Sequence, residues 1–286
     1  MLLSSCQVFL KEKNVVQYSL MSKPVASIKR PLIHIPTAEN ALLEKIVELI
    51  NTNEEVQTLW KVMNVNAIDR LGMTDHGPVH FQIVSNIALR LCRILKSNKV
   101  EMSITKNFGL SSDYAEVVIF LASLFHDFGM SIERDGHEEF SLILSNTILR
   151  ETLAFMPTSE RVIVTSEVLH AIISHRSGGN PLTIEAGIVR VADALDMSKG
   201  RSRIPYEAGK VDIHSVSAAA IENIEIEEGV KKPIQITISM NNSAGVFQVD
   251  ELLKKKLKGS GIEQYVEVKA VLLRETEKSL VKEFSL

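Results

Sequence analysis

The chain has 286 residues, 45% of them hydrophobic and 23% charged, enough apolar material for one large domain or two of ordinary size and too much for a disordered chain. A formal net charge of −3 excludes the global basic field that nucleic-acid binders carry, and no apolar run approaches the roughly 18 residues of a membrane span. The two cysteines, Cys6 and Cys92, make neither a metal knuckle nor a disulfide framework.

Residues 1–37 read as an irregular segment, with Lys, Ser and Pro mixed without a period and Met21 an alternative start. Met1 to Leu10 lacks the basic leading segment and cleavage site of a secretory signal, so a cytoplasmic location is the default expectation. From Ala38 apolar residues recur three and four apart, over Glu39–Ile50 and Glu54–Met63. A turn at Gly72 leads to Thr74 or Asp75, either able to cap a helix over Pro78–Leu95 whose apolar face is Val79, Ile83, Ile87, Leu91 and Ile94. Lys96–Asn107 reads as a polar excursion. Ser111-Ser112-Asp113 then opens a helix that is apolar all round, the mark of a buried central element. It ends at Gly129 and delivers His126 and Asp127. Helices follow over Glu138–Leu153, Ser159–Ser174 and Leu182–Met197, the last two separated by Arg176-Ser177-Gly178-Gly179-Asn180-Pro181.

After Tyr206 the period changes. Glu222–Glu228, Pro233–Met240 and Tyr265–Leu272 alternate as one-sided strands, and an amphipathic helix with Val249, Leu252, Leu253 and Leu257 lies between the last two. The expected architecture is mainly α: a helical domain over 38–206 and a smaller C-terminal α+β domain over 207–286, an antiparallel sheet plus a helix. The run Lys254-Lys255-Lys256, with Lys258, is expected to be the solvated side of that helix.

The chemistry concentrates in the series His80, His126–Asp127, His137, His175 and Asp193, which places metal-binding side chains on successive predicted helices. Four of the eight histidines belong to it. Imidazole and carboxylate together hold divalent transition metals, and a bound metal makes water a nucleophile near neutral pH. The residues alone therefore point to a metal-dependent hydrolase.

The strings Asp75-His76-Gly77-Pro78-Val79-His80, Leu124-Phe125-His126-Asp127-Phe128-Gly129 and Val191-Ala192-Asp193-Ala194-Leu195-Asp196 resemble the HD-domain superfamily of metal-dependent phosphohydrolases over about Thr74–Tyr206. His137, in Asp135-Gly136-His137-Glu138, and His175, in Ile172-Ile173-Ser174-His175, look like the additional histidines of the two-metal subgroup. The resemblance implies that His80, His126 and Asp193 hold one ion, His137 and His175 a second, and that Asp127 bridges them, with His126 and Asp127 at the catalytic centre and water as the nucleophile. One or two divalent ions per chain are expected, from Mn, Fe, Co, Ni and Mg.

His76 competes with His80; the resemblance and the downstream apolar register favour His80, leaving His76 to support a ligand or contact substrate. His170 competes with His175; a five-residue spacing puts them on different helix faces, and His170 is left as a supporting group. Asp196, one turn beyond Asp193, is a candidate to orient a ligand histidine. Lys199, Arg201 and Arg203, with Arg176, are candidates to hold phosphate, because guanidinium groups bind its oxygens in pairs. Arg134 is a weaker candidate.

The expected function is hydrolysis of a phosphate ester, with nucleotides among the substrates to consider. The alternative is a ligand sensor or scaffold that keeps the metal site and acts through its C-terminal domain, and a third option is oxygen chemistry at a di-iron centre. A small-molecule partner is expected, with no strong nucleic-acid signal and no membrane; self-association, substrate and native metal are left open.

Overall fold

A computed structural model of the chain describes residues 31–37, 39–197 and 217–273 and the backbone of 283–285. Residues 31–286 cluster as one compact unit. Tyr206, where the sequence reading placed the change of character, lies outside the described residues, as do Met21 and Cys6.

The helices are α1 (Ala41–Thr52), α2 (Glu54–Asn64, continued by the π-helical turns Val65–Arg70), α3 (Pro78–Ser97), α4 (Ser103–Phe108), α5 (Ser112–Phe125), α6 (His137–Thr152), α7 (Thr158–Ser174) and α8 (Ile184–Leu195). Their starts follow from local chemistry. Asn40 and Asn53 accept from the backbone N–H groups of Leu43 and Val56 at 2.9 and 3.0 Å, Thr183 does the same for Ala186 at 3.2 Å, and Pro78 occupies the first turn of α3, where its missing N–H costs nothing.

Helix α5 is the centre. Every residue from Ala115 to Phe125 is buried, and α1, α3, α7 and α8 all pack against it. An element apolar on every side cannot be satisfied at a surface, so its neighbours wrap it. Helix α3 buries Leu91 and Ile94 of the expected face, but the buried stripe is turned away from the rest of it. Phe81, Val84, Ala88, Leu91, Cys92 and Leu95 are buried, whereas Val79 is 62% exposed and Ile83 sits at the surface. Two apolar stripes compete on this helix. The one that wins also carries His80 inward, alongside the large ring of Phe81.

Helix α4 falls within the segment expected to be an irregular polar excursion. Its first amides, those of Ser103 and Ile104, donate to Glu185 at 3.2 and 3.0 Å. A six-residue helix is too short to hold itself in water, and this one is anchored by a carboxylate from the start of α8.

The C-terminal part is a sheet in the order β1 (Ile221–Glu228), β2 (Ile234–Met240), β3 (Val266–Leu272), β4 (Glu283–Ser285). The strands alternate as expected, with Ile234, Ile236, Ile238 and Met240 of β2 and Val266, Val268 and Ala270 of β3 inward. β1–β2 and β3–β4 are antiparallel, but β2–β3 is parallel, a departure from the antiparallel sheet expected. The reason lies in the connection: residues 245–257 form one helical run, here α9, and a helix between two strands returns the chain to the end it left. Val249, Leu253 and Leu257 of α9 are buried, while the other edge of the module meets α3 through β1 and β2.

Candidate metal centre

Five elements bring residues together at the C-terminal end of α5. His80 comes from the first turn of α3, His126 and Asp127 from the turn that ends α5, His137 from the first residue of α6, and His175 from the residue after α7. Asp193 stands in the last turn of α8. All six are buried or nearly so.

The turn holding His126 and Asp127 is locked to α6. Ser141 donates its hydroxyl to the His126 carbonyl at 2.7 Å and accepts from the Gly129 N–H at 2.8 Å. A side chain on Gly129 would place its Cβ 1.9 Å from the His137 carbonyl. Glycine is needed here because the backbone that carries the His–Asp pair touches the backbone that carries His137.

The rings form a connected series, His80 to His126 to His175 to His137, with successive centroids 5.1, 4.8 and 5.7 Å apart. In three of them the outer nitrogen is committed. His80 Nδ1 donates to Asp196 Oδ2 at 2.6 Å, His126 Nδ1 to the Ser123 carbonyl at 3.0 Å, and His175 Nδ1 to the Ile172 carbonyl at 2.6 Å. In a neutral imidazole this leaves the lone pair on Nε2, the atom turned inward. His137 differs: its Nδ1 meets the Arg134 carbonyl at 3.0 Å, Glu138 Oε2 at 3.3 Å and the Arg134 guanidinium at 2.9 Å.

His80 Nε2 and His126 Nε2 face each other at 3.1 Å. Neutral rings so disposed set lone pair against lone pair, so the pair calls for a cation between them, a proton or a metal ion. The surrounding acids reinforce this. Asp127 Oδ2 lies 3.6 Å from His80 Nε2 and 3.4 Å from His126 Nε2, and Asp193 Oδ1 lies 3.5 and 3.7 Å from the same atoms. Burial opposes a charged His126, but Asp127 and then Asp193 outweigh it and raise the imidazole to about 10. Burial likewise pushes the Asp127 and Asp193 carboxyls up, yet they are held well below the ordinary range, Asp127 mainly by His126 and Asp193 mainly by Lys256. His175 is lowered to about 3 by burial, with His126 and Lys256 adding to it.

Asp127 faces two ways. Its Oδ2 looks toward His80 and His126, and its Oδ1 lies 3.2 Å from His137 Nε2 and 3.9 Å from His175 Nε2. Three overlapping sets of donor atoms could hold a metal ion: His80, His126 and Asp193; His126, Asp127 and His175; His137, Glu138 and His175. The donors suit a divalent ion of the imidazole-and-carboxylate type.

Residues 79–198 match the HD domain family. The chain belongs to the HD-domain superfamily of metal-dependent phosphohydrolases. This HD-domain chain is also 45% identical, over 240 residues, to an uncharacterized protein of Methanocaldococcus jannaschii, a match that covers 84% of this chain and 92% of that relative. No solved structure matches it. HD domains bind divalent metals, and the clusters described above are groups that could hold them.

The remaining expected residues fall in several places. Asp196 lies directly behind His80. His76 is buried, its ring 5.9 Å from that of His80, with Nδ1 on the Thr74 carbonyl at 2.8 Å. His170 is turned toward the glycine-rich loop instead: its Nε2 accepts from the Leu182 N–H at 2.9 Å, and burial lowers it. Arg176 pairs with Glu139 at 2.9 Å on the surface of the HD domain. Lys199, Arg201 and Arg203 lie outside the described residues.

Sequence reasoning missed two groups. Glu138 is buried beside His137 and belongs to a donor set; its place next to a candidate ligand was the available signal. Lys256 contacts Asp193. Helical periodicity was the available signal: Lys256 stands three residues after Leu253, four after Leu252 and seven after Val249, on the apolar stripe that Lys254 and Lys255 leave. Among the described residues, no helix is long and apolar enough to cross a membrane.

Proposed function

We propose that this protein hydrolyses a phosphate ester, a phosphomonoester or phosphodiester with nucleotides among the candidate substrates. His80, His126 and Asp193 would hold one divalent ion, His137 and His175 another with Glu138 within reach, and Asp127 would serve both. The observation that carries the reading is the two-way disposition of Asp127, whose Oδ2 faces one histidine pair and whose Oδ1 faces the other. A carboxylate so placed could serve two cations at once.

When bound, divalent ions bring the pKa of water toward neutrality and polarise phosphoryl oxygens. The protein's own part is to position and to exclude. Asp196 and the Ser123 and Ile172 carbonyls fix which ring nitrogens point inward, so these side chains need not reorganise on binding. Burial of His126 and Asp127 keeps bulk water from competing for the donors. The basic string Lys199, Arg201 and Arg203 begins three residues beyond Asp196 in sequence, and we assign it to the phosphate group. No serine or cysteine nucleophile is required.

The test is a screen of the purified protein, reconstituted separately with Mn²⁺, Fe²⁺, Co²⁺, Ni²⁺ and Mg²⁺, against phosphate esters and nucleotides. Turnover that needs the metal supports the reading. No turnover in any folded, metal-loaded sample overturns it.

A further inference from the structure

Three consecutive lysines on α9 behave in two different ways. Lys254 and Lys255 pair one turn back with Asp250 and Glu251, and their side chains are 52% and 57% exposed. That is a solvated helix face, as the sequence suggests. Lys256 is only 14% exposed, and its ammonium rests on Asp193 Oδ2. The other oxygen of Asp193 faces His80 and His126.

A ridge of α8 puts Lys256 there. Gly187 has no room for a Cβ, which would stand 2.1 Å from the Ser260 carbonyl. Arg190, also buried, donates to the Lys255 carbonyl at 3.2 Å and to the Gly179 and Ser177 carbonyls at 2.6 and 2.8 Å. Asp193 receives Lys256. Residues 187, 190 and 193 are three apart and form one ridge. The guanidinium of Arg190 thus clamps both the loop that follows His175 and the turn of α9 that carries Lys256.

An ammonium beside a group of metal donors is electrostatically out of place once divalent ions arrive, unless an anion joins them. Asp127, Asp193, Asp196 and Glu138 supply at most four negative charges, which the four positive charges of two divalent ions would match. Lys256 tips that balance to a positive excess. The whole then suits a phosphate group better than any neutral ligand, and the flexible four-carbon stem of lysine allows the ammonium to change partners.

Resting on the hydrolase reading above, we propose that Lys256 is a substrate-contacting residue supplied by the C-terminal module, exchanging Asp193 for a phosphoryl oxygen of the bound ester. No bond is made or broken by it. It binds the ester and offsets the charge on the phosphoryl oxygens.

The test uses the full chain loaded with Mn²⁺, as wild type, Lys256→Met, Lys256→Gln and Lys256→Arg, with inorganic phosphate as the probe in titration calorimetry. Metal content by elemental analysis and thermal melting accompany each sample. Both neutral variants should keep their metal and bind phosphate roughly tenfold or more weakly, the scale of losing one charge-assisted hydrogen bond. Lys256→Arg should stay within about threefold of wild type, since it keeps the charge. With the best ester, the neutral variants should raise KM more than they lower kcat. Phosphate bound equally by wild type and a folded neutral variant overturns this inference and leaves the hydrolase reading standing. Loss of metal from both neutral variants also overturns it, making Lys256 a structural partner of Asp193. Absence of phosphate binding to metal-loaded wild type also overturns this inference, while the hydrolase reading stands or falls by turnover alone.

Discussion

Asp196 Oδ2 and His80 Nδ1 stand 2.6 Å apart with both side chains buried, although 116 residues separate them in the chain. The pair joins the end of α8 to the start of α3 and leaves the other nitrogen of His80 facing His126. Replacing Asp196 by Ala should therefore weaken metal binding by about 10–100-fold, the range for losing a carboxylate behind a ligand histidine, while Asp196→Asn, which keeps an acceptor, should lose less. A metal titration checks this. Equal affinity in wild type and Asp196→Ala would falsify the orienting role.

The two-way placement of Asp127 predicts a graded response to single substitutions. His137→Ala should leave about one ion per chain against the two proposed for wild type, because only the Oδ1 side is disturbed. Asp127→Ala should lose both. Elemental analysis after gel filtration reads this directly, and two ions retained in His137→Ala would dismiss the two-centre assignment.

A pH signature arises away from the centre, at Glu116 on α5. Burial pushes this carboxyl up, but Arg93 at 2.8 Å and Lys96 at 2.9 Å outweigh it and hold the group below its ordinary value. A carboxyl lowered in the folded state adds stability above its unfolded pKa, and that contribution disappears as pH falls through the folded one. Glu116→Gln should thus be less stable than wild type by about 1–3 kcal/mol at pH 7, with the gap closing under acid conditions. Denaturant unfolding at pH 7 and at decreasing acid pH is the measurement, and a gap that widened on acidification would contradict it.

Gly187→Ala should destabilise despite the better helix propensity of alanine. The new Cβ would meet the Ser260 carbonyl at 2.1 Å, and the obstacle is backbone, not a side chain that can swing away. Overpacking of this kind costs about 1–3 kcal/mol, against about 1 kcal/mol gained from removing glycine inside a helix. A lower melting temperature is expected, and an unchanged or higher one would show that α8 and the 258–261 turn have slack between them.

The centre of the fold was legible because α5 has no polar face, and the strands because isoleucine and valine alternate over β2 and β3. The six residues of the His–Asp series stood out because they fall in short strings of imidazole and carboxylate, and the structure brings their side chains into one cluster. What escaped was set by contacts distant in sequence. α4 is held by Glu185, more than 80 residues away, and no local pattern announces that. The buried face of α3 was misplaced because two apolar stripes lie side by side on it. Lys256 shares the apolar stripe of α9 by its spacing from Leu252 and Leu253, but its partner on α8 is distant in sequence.

The ridge of Gly187, Arg190 and Asp193 makes α8 a ruler of fixed length. Each residue of an α-helix turns about 100°, so one residue inserted or deleted between Gly187 and Asp193 would swing that carboxylate out of line with the contacts that seat α9. Drift in the lineage of this protein can exchange side chains along that stretch far more readily than it can change their number.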